Sequence, residues 1–188
     1  MTKQAVIEKF PSREGVVVKK SDEDKMENII RLTFVKEFKN IIKNSQLEKS
    51  WITQFTELTL TDIFSNRLFI VFIIRQGISY TLFDHIQNYS PFSQNDWASY
   101  LNISSKSLSR YRRFNKPFKP IHTEKIIEIA EVTNIGLEVF KNIDKFKLWL
   151  ETPNYALGNM RPLDLLKDSY GKEMVIGELT RIEHGILV

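Results

Sequence analysis

Along most of the chain, apolar residues return every three or four positions, the period of an α-helix with one buried face. Met26, Ile30, Phe34, Phe38 and Ile41 share one such face. Ser21 and Asp24 have capping-box spacing, so a helix is expected to begin at Ser21. The stretch 44–61 has no clear period, and its Trp51, Phe55 and Leu58 are expected to pack on the helices C-terminal to it. "TDIFSNRLFIVFIIRQG" predicts one buried helix ending at Gly77, and "SYTLFDHIQNYS" a second. "SQNDWASYLN" predicts a third, with Ser93 and Asp96 in a capping box. After a tight connection comes "SSKSLSRYRRF", stopped by Pro117 and Pro120. "TEKIIEIAEVTNIGLEVF" resumes the helical pattern, with Thr123 as its N-cap and Ile126, Ile129 and Ala130 on one face.

Beyond Phe140 the segments shorten. "DKFKLWLETP" predicts an amphipathic helix with Phe146, Trp149 and Leu150 on one side, ended by Pro153. "NYALGNM" reads as a loop turning at Gly158. "RPLDLL" opens a helix with Pro162 at the favoured first position. "GKEMVIGELTRIEHG" gives a last helix, with Gly185 placed to cap its C-terminus. Only "GVVVKK" suits a strand, and it fits a short edge strand or a mobile N-terminal arm equally well. The expected fold class is therefore all-α. The expected division is an N-terminal arm and helical extension (1–61), a central helical domain (62–140) and a small helical C-terminal domain (141–188).

Composition narrows the function. The chain has 188 residues, of which 42 % are apolar and 27 % charged, as in ordinary globular proteins. It contains no cysteine, which excludes disulfides, thiolate metal sites and a Cys nucleophile. "MTKQAVIEKF" lacks the apolar run of a signal peptide, and "LFIVFII" is too short to span a bilayer. No membrane association and a cytoplasmic location are expected. The net charge of +4 is modest, but its distribution is not. From Trp97 to Thr123 there is no Asp or Glu, whereas Lys106, Arg110, Arg112, Arg113, Lys116 and Lys119 all fall there.

That cluster fits a helix-turn-helix. Trp97 and Leu101 lie four apart, Ile103 comes just after the turn, and Leu108 and Tyr111 lie three apart, as buried anchors for two helices at a fixed angle. Ala98 is small enough for close approach. Asn102 suits the left-handed turn, and Ser104 or Ser105 can cap the second helix. On its other face Lys106, Ser109, Arg110 and Arg113 form an outward stripe. Ser105, Lys106, Ser109 and Arg110 are the candidates for base edges; Arg112, Arg113, Lys116 and Lys119 are assigned to phosphate. Operator DNA is thus an expected partner. Helix-turn-helix proteins commonly read two half-sites by two-fold symmetry, so a homodimer is expected.

No catalytic pattern is present. His85, His122 and His184 are scattered, and there is no phosphate-binding glycine loop or nucleophile elbow. Neither enzyme nor cofactor is expected. The stretches "DWASYLNISSKSLSRYRR", "WLETPNYALGNMRPLDLL" and "YGKEMVIGELTRIEHGI" resemble the Xre/ParS/MbcA-type antitoxins of bacterial type II toxin–antitoxin pairs. The resemblance runs from about Ser65 to Val188 and is most specific in the C-terminal third. It implies a helix-turn-helix followed by a small helical toxin-binding domain. It also implies a RES-domain toxin that degrades NAD⁺ as partner, and repression of the chain's own operon. Carried onto this chain, the toxin-binding residues would be Asn154, Leu157, Arg161, Arg181, His184, Ile186, Leu187 and Val188. The apolar tail 186–188 would lie nearest the toxin's pocket. A stand-alone helix-turn-helix regulator with a C-terminal dimerisation or sensing domain is the competing reading.

Overall fold

The computed structural model describes residues 20–43 and 58–186, with side chains from 24–39 and 58–186. All regular elements among them are helical. They are α1 (Lys20–Lys43), α2 (Leu60–Ser65), α3 (Arg67–Gln76), α4 (Tyr80–Tyr89) and α5 (Gln94–Tyr100), followed by α6 (Ser105–Phe114), α7 (Pro120–Phe140), α8 (Ile143–Glu151), α9 (Pro162–Leu165) and α10 (Ser169–Glu183). A single 3₁₀ turn, Tyr155–Leu157, sits between α8 and α9. The strand expected in "GVVVKK" and the packing of Trp51 and Phe55 lie outside the described residues. Leu58 packs on the core as expected.

Three expected boundaries are corrected. Helix α1 begins at Lys20, so Ser21 lies inside it rather than at its cap. The side chains of Ser21 and Ile41 are outside those described. The apolar run before Gly77 is two helices, because Asn66 leaves helical geometry at ψ 88. Its N–H closes α2 on the carbonyls of Asp62 and Ile63, and its side chain accepts from the Phe69 N–H to open α3. One Asn thus serves as both caps. The run is also only half buried: Phe69 and Ile73 face the core, while Leu68 and Val71 are exposed. Helix α7 begins at Pro120 rather than after Thr123, because proline's fixed φ and missing N–H suit the first helical position. Thr123 is fully buried; its hydroxyl accepts from the Ile78 N–H and donates to the Phe118 carbonyl.

Helix α7 is the spine of the molecule. Ile126, Ile129 and Ala130 are buried on one face, as the spacing predicts. Helices α3 and α4 pack against it from the N-terminal side, α8 and α10 from the C-terminal side. An ion pair and a hydrogen bond pin α10 to α7: Lys172 Nζ lies 2.6 Å from Glu131, and the Ser169 hydroxyl donates to Glu128, itself paired with Lys125. Tyr100 on α5 donates its buried hydroxyl to the Leu163 carbonyl on α9, and burial raises its phenol well above the usual range.

Helix α1 belongs to the same core. Ile30, Phe34 and Phe38 are buried, with Phe38 4.5 Å from Phe69 and Phe34 6.0 Å from Phe64 between ring centroids. Glu37 accepts from both the hydroxyl and the N–H of Ser79, the residue that caps α4. Burial raises the Glu37 pKa above 4.5, and the Ser79 hydrogen bonds oppose this only in part. Its folded value exceeds its unfolded one, so folding binds a proton. The stabilisation is complete below 4.5 and is lost as pH rises through the raised value. Glu37→Gln is expected to flatten this dependence above pH 4.5, as read by urea denaturation. An unchanged slope would remove Glu37 as its source.

Candidate functional site

The turn between α5 and α6 is built from backbone hydrogen bonds. Asn102 takes a left-handed φ of 50°, its N–H donates to the Ser99 carbonyl, and the Ile103 N–H reaches back to Ala98 at 3.0 Å. This double closure ends α5 and sets the entry to α6. Ser93 and Asp96 form the expected capping box at the start of α5. Ser104, rather than Ser105, caps α6 by accepting from the Ser107 N–H. Trp97, Ala98, Leu101 and Leu108 are buried, and Ile103 and Tyr111 pack partly on the same core. Tyr111 stacks on buried Phe118 with centroids 4.2 Å apart.

The opposite face carries the cations. Ser105, Lys106, Ser109, Arg110, Arg112, Arg113, Lys116 and Lys119 are all exposed. Ser109 donates to the Ser105 carbonyl within its own helix, which leaves its oxygen free to accept but not to donate. Arg112 lies towards α4, where its charge acts on Tyr80. Arg113 and Lys116 both sit over the exposed Phe114 ring, at 5.4 and 5.8 Å from its centroid. Beyond that ring opens a cleft of about 590 Å³ between α6 and the start of α7. Arg110, Lys116, Lys119 and His122 line it, and no carboxylate does among the described residues. Burial, and then the charge of Lys119, lowers the His122 pKa, so its imidazole is neutral at pH 7. The sequence pattern did not single out Phe114 or His122. An aromatic ring between two cations just past an exposed stripe was the available signal for Phe114.

In the C-terminal block the candidates separate. Leu157 is 2 % exposed, so its side chain is core and cannot meet a partner. Asn154 is a turn former: its side chain accepts from the Ala156 N–H, and its backbone bridges to Met160. Arg161 is exposed and tied to Asp164 at 2.7 Å, which holds the Asp164 carboxyl below its usual range. Arg181 is half exposed and paired with the buried carboxylate of Glu178. His184 and Ile186 are exposed, and Gly185, at φ 69°, completes the expected C-terminal cap. Leu187 and Val188 lie outside the described residues. Phe146 and Leu150 are buried, while Trp149 is partly buried and stacks on Phe146.

Other exposed residues of this block were not singled out by the sequence pattern. Tyr170 is 85 % exposed and Met174 47 %, one helical turn apart. Gly177, Arg181 and His184 continue their stripe along α10, opposite buried Val175 and Leu179. The alternation of this face with the core face was already written in the sequence. Among the described residues no helix is long and apolar enough to cross a membrane, and no group of three or more His, Asp or Glu is placed to hold a metal ion.

These features define a helix-turn-helix protein with a basic recognition helix and a second helical block seated on the helix that comes after it. The model of the antitoxin Xre-like helix-turn-helix domain matches residues 70–131. That of the antitoxin Xre/MbcA/ParS C-terminal toxin-binding domain matches residues 136–185. Antitoxin Xre of Photorhabdus laumondii is 29 % identical over 116 residues, covering 61 % of this chain and 78 % of the relative. Antitoxin Xre of Yersinia enterocolitica is 30 % identical over 115 residues, covering 60 % and 77 %. In the crystal structure of the M. tuberculosis MbcT–MbcA toxin–antitoxin complex, one chain aligns with a TM-score of 0.44 and 22 % identity, covering 52 % of this chain and 86 % of that one. The chain belongs to the Xre/MbcA/ParS antitoxin family. It is an antitoxin, not an enzyme, with a helix-turn-helix domain followed by a C-terminal toxin-binding domain.

Proposed function

We propose that this antitoxin binds and neutralises a RES-domain, NAD⁺-degrading toxin, and that it represses its own operon as a cytoplasmic homodimer bound to operator DNA. The observation that carries the reading is the pairing of an exposed, acid-free basic helix with a toxin-binding block on one shared spine, α7. The exposed cations of α6 favour a polyanion, since each phosphate they neutralise releases counterions. Lys106 and Arg110 point away from the core at the level where a recognition helix meets base edges. Arg110, on a face without carboxylates, suits bidentate pairing with guanine. Ser109 can accept a hydrogen bond from an adenine or cytosine amino group. Arg112, Arg113, Lys116 and Lys119 serve phosphate, and the cleft beside Phe114 gives Lys116 and Lys119 a common target. On the toxin side, Arg161, Arg181, His184 and the tail 186–188 remain the contact candidates. Asn154 shapes the loop that presents Arg161.

Titrations of operator duplexes separate the two roles. Arg110→Ala is expected to lose about 1–3 kcal/mol of discrimination at one base position. Lys116→Ala is expected to weaken binding to all sequences alike and to reduce the salt slope by about one. Equal, sequence-blind losses for both variants would contradict this docking.

A further inference from the structure

Gly177 sits in the ninth position of α10, which runs unbroken from Ser169 to Glu183. A glycine in a helix interior is disfavoured relative to alanine, because it loses more backbone freedom on folding. Nothing among the described residues explains it. The residue is exposed, no kink or cap uses it, and a Cβ there would meet no atom within 4 Å. The same helix has another glycine, Gly171, whose hydrogen faces the Leu165 carbonyl at a distance that no methyl fits. One glycine is thus required by the fold and the other is not.

The stripe on which Gly177 lies is exposed, and its N-terminal part carries large apolar side chains. On its stripe, Met174 lies one turn and Tyr170 two turns towards the N-terminus, and Arg181 one turn towards the C-terminus. Tyr155 in the 3₁₀ turn that packs on α10 is 78 % exposed, and Met160 closes the same turn at 48 %. Large apolar side chains exposed together on one helix face mark an interaction surface. A helix without a Cβ at its centre lets a second backbone approach closely, as at other tight packing points.

We propose that the α10 stripe Tyr170–Met174–Gly177 is the seat of the toxin, with a backbone segment of the toxin crossing directly over Gly177 and apolar toxin side chains covering Tyr170 and Met174. The occupant is a protein toxin because the stripe lies inside the segment matched by the toxin-binding domain, residues 136–185. This inference rests on the antitoxin reading above and adds to it the contact surface and the reason for an otherwise unfavourable residue.

The test pairs two measurements on the full chain: the midpoint of urea unfolding, and the affinity for the toxin produced from the same operon, read by calorimetry. Gly177→Ala is expected to raise the unfolding midpoint while weakening toxin binding at least about tenfold, because the added methyl stands between two backbones. Tyr170→Ser with Met174→Ser is expected to leave the midpoint within error and also to weaken toxin binding. A Gly177→Ala variant that is more stable and binds toxin as well as the native chain overturns the inference and leaves the antitoxin reading intact. A lowered midpoint for Gly177→Ala overturns it differently, by showing that the fold itself needs the glycine. Failure of the native chain to bind the toxin removes the antitoxin reading and this inference together.

Discussion

Trp97→Ala is expected to lower the unfolding free energy by about 4 kcal/mol, a large part of the roughly 5–15 kcal/mol that keeps a domain folded. Trp97 is fully buried and meets three rings edge-on: Phe83 at 5.1 Å, Phe92 at 6.2 Å and Tyr100 at 6.3 Å. Its indole N–H donates to the Ser90 hydroxyl at 3.2 Å. Truncation opens a cavity at the joint between α4, α5 and the start of the turn, so the recognition helix loses its fixed angle. Trp97→Phe should lose less, because it keeps most of the apolar volume and forfeits one hydrogen bond. Urea denaturation followed by circular dichroism gives both values. A loss below about 1 kcal/mol for the alanine variant would show that this joint does not hold the helix-turn-helix.

Gly171→Ala is the second large effect, and it falls on the other half of the molecule. A Cβ at position 171 would stand 2.0 Å from the Leu165 carbonyl oxygen and 2.7 Å from its carbon, both backbone atoms that cannot rotate away. The Gly171 N–H is also held by the Asp168 cap at 2.7 Å, so α10 cannot retreat without losing its first turn. The variant is expected to lose about 3 kcal/mol and to shift α10 against α9. Toxin binding should fail while α6, packed on α5 and stacked through Tyr111 on Phe118, keeps its DNA affinity. Amide hydrogen exchange resolves the two regions: protection should fall along α10 and persist through α6. Loss of DNA binding to the same degree as toxin binding would mean that α7 transmits the damage and that the halves unfold together.

The parts of this fold that could be read from the sequence are those fixed by local chemistry. Ser93 with Asp96, Asn102 in its left-handed turn, Pro162 at the first helical position and Gly185 after the last each state their geometry in a few residues. The buried set Trp97, Leu101 and Leu108 came from helical spacing alone. What escaped depends on partners far away in sequence. Asn66 breaks an apolar run because its side chain turns back on Phe69, and hydropathy carries no trace of that. Thr123 resembles a cap until Pro120 starts the helix a turn earlier and leaves the threonine to serve Ile78. Leu157 stands two residues from exposed Tyr155 in the sequence, and only the 3₁₀ turn decides which of them faces inward.

The candidate DNA surface was readable because charge depletion is a property of sequence: twenty-seven positions without an acid, 97–123, require no fold to be noticed. The candidate toxin surface was less so. Its residues were chosen by resemblance, and the structure retires Leu157 to the core while bringing forward Tyr170, Met174 and Gly177. Gly171 and Gly177 look alike in the sequence. They differ in what stands opposite them, which is set by the packing of α9 on α10.

A chain that silences a NAD⁺-degrading toxin by binding it must inhibit stoichiometrically. The direct measurement titrates the purified full-length chain into the RES-domain toxin of the same operon and monitors NAD⁺ loss. The rate is expected to fall linearly and to vanish at a fixed, small stoichiometric ratio, with the Gly171→Ala variant failing to inhibit. Undiminished NAD⁺ loss in the presence of excess native chain would contradict it.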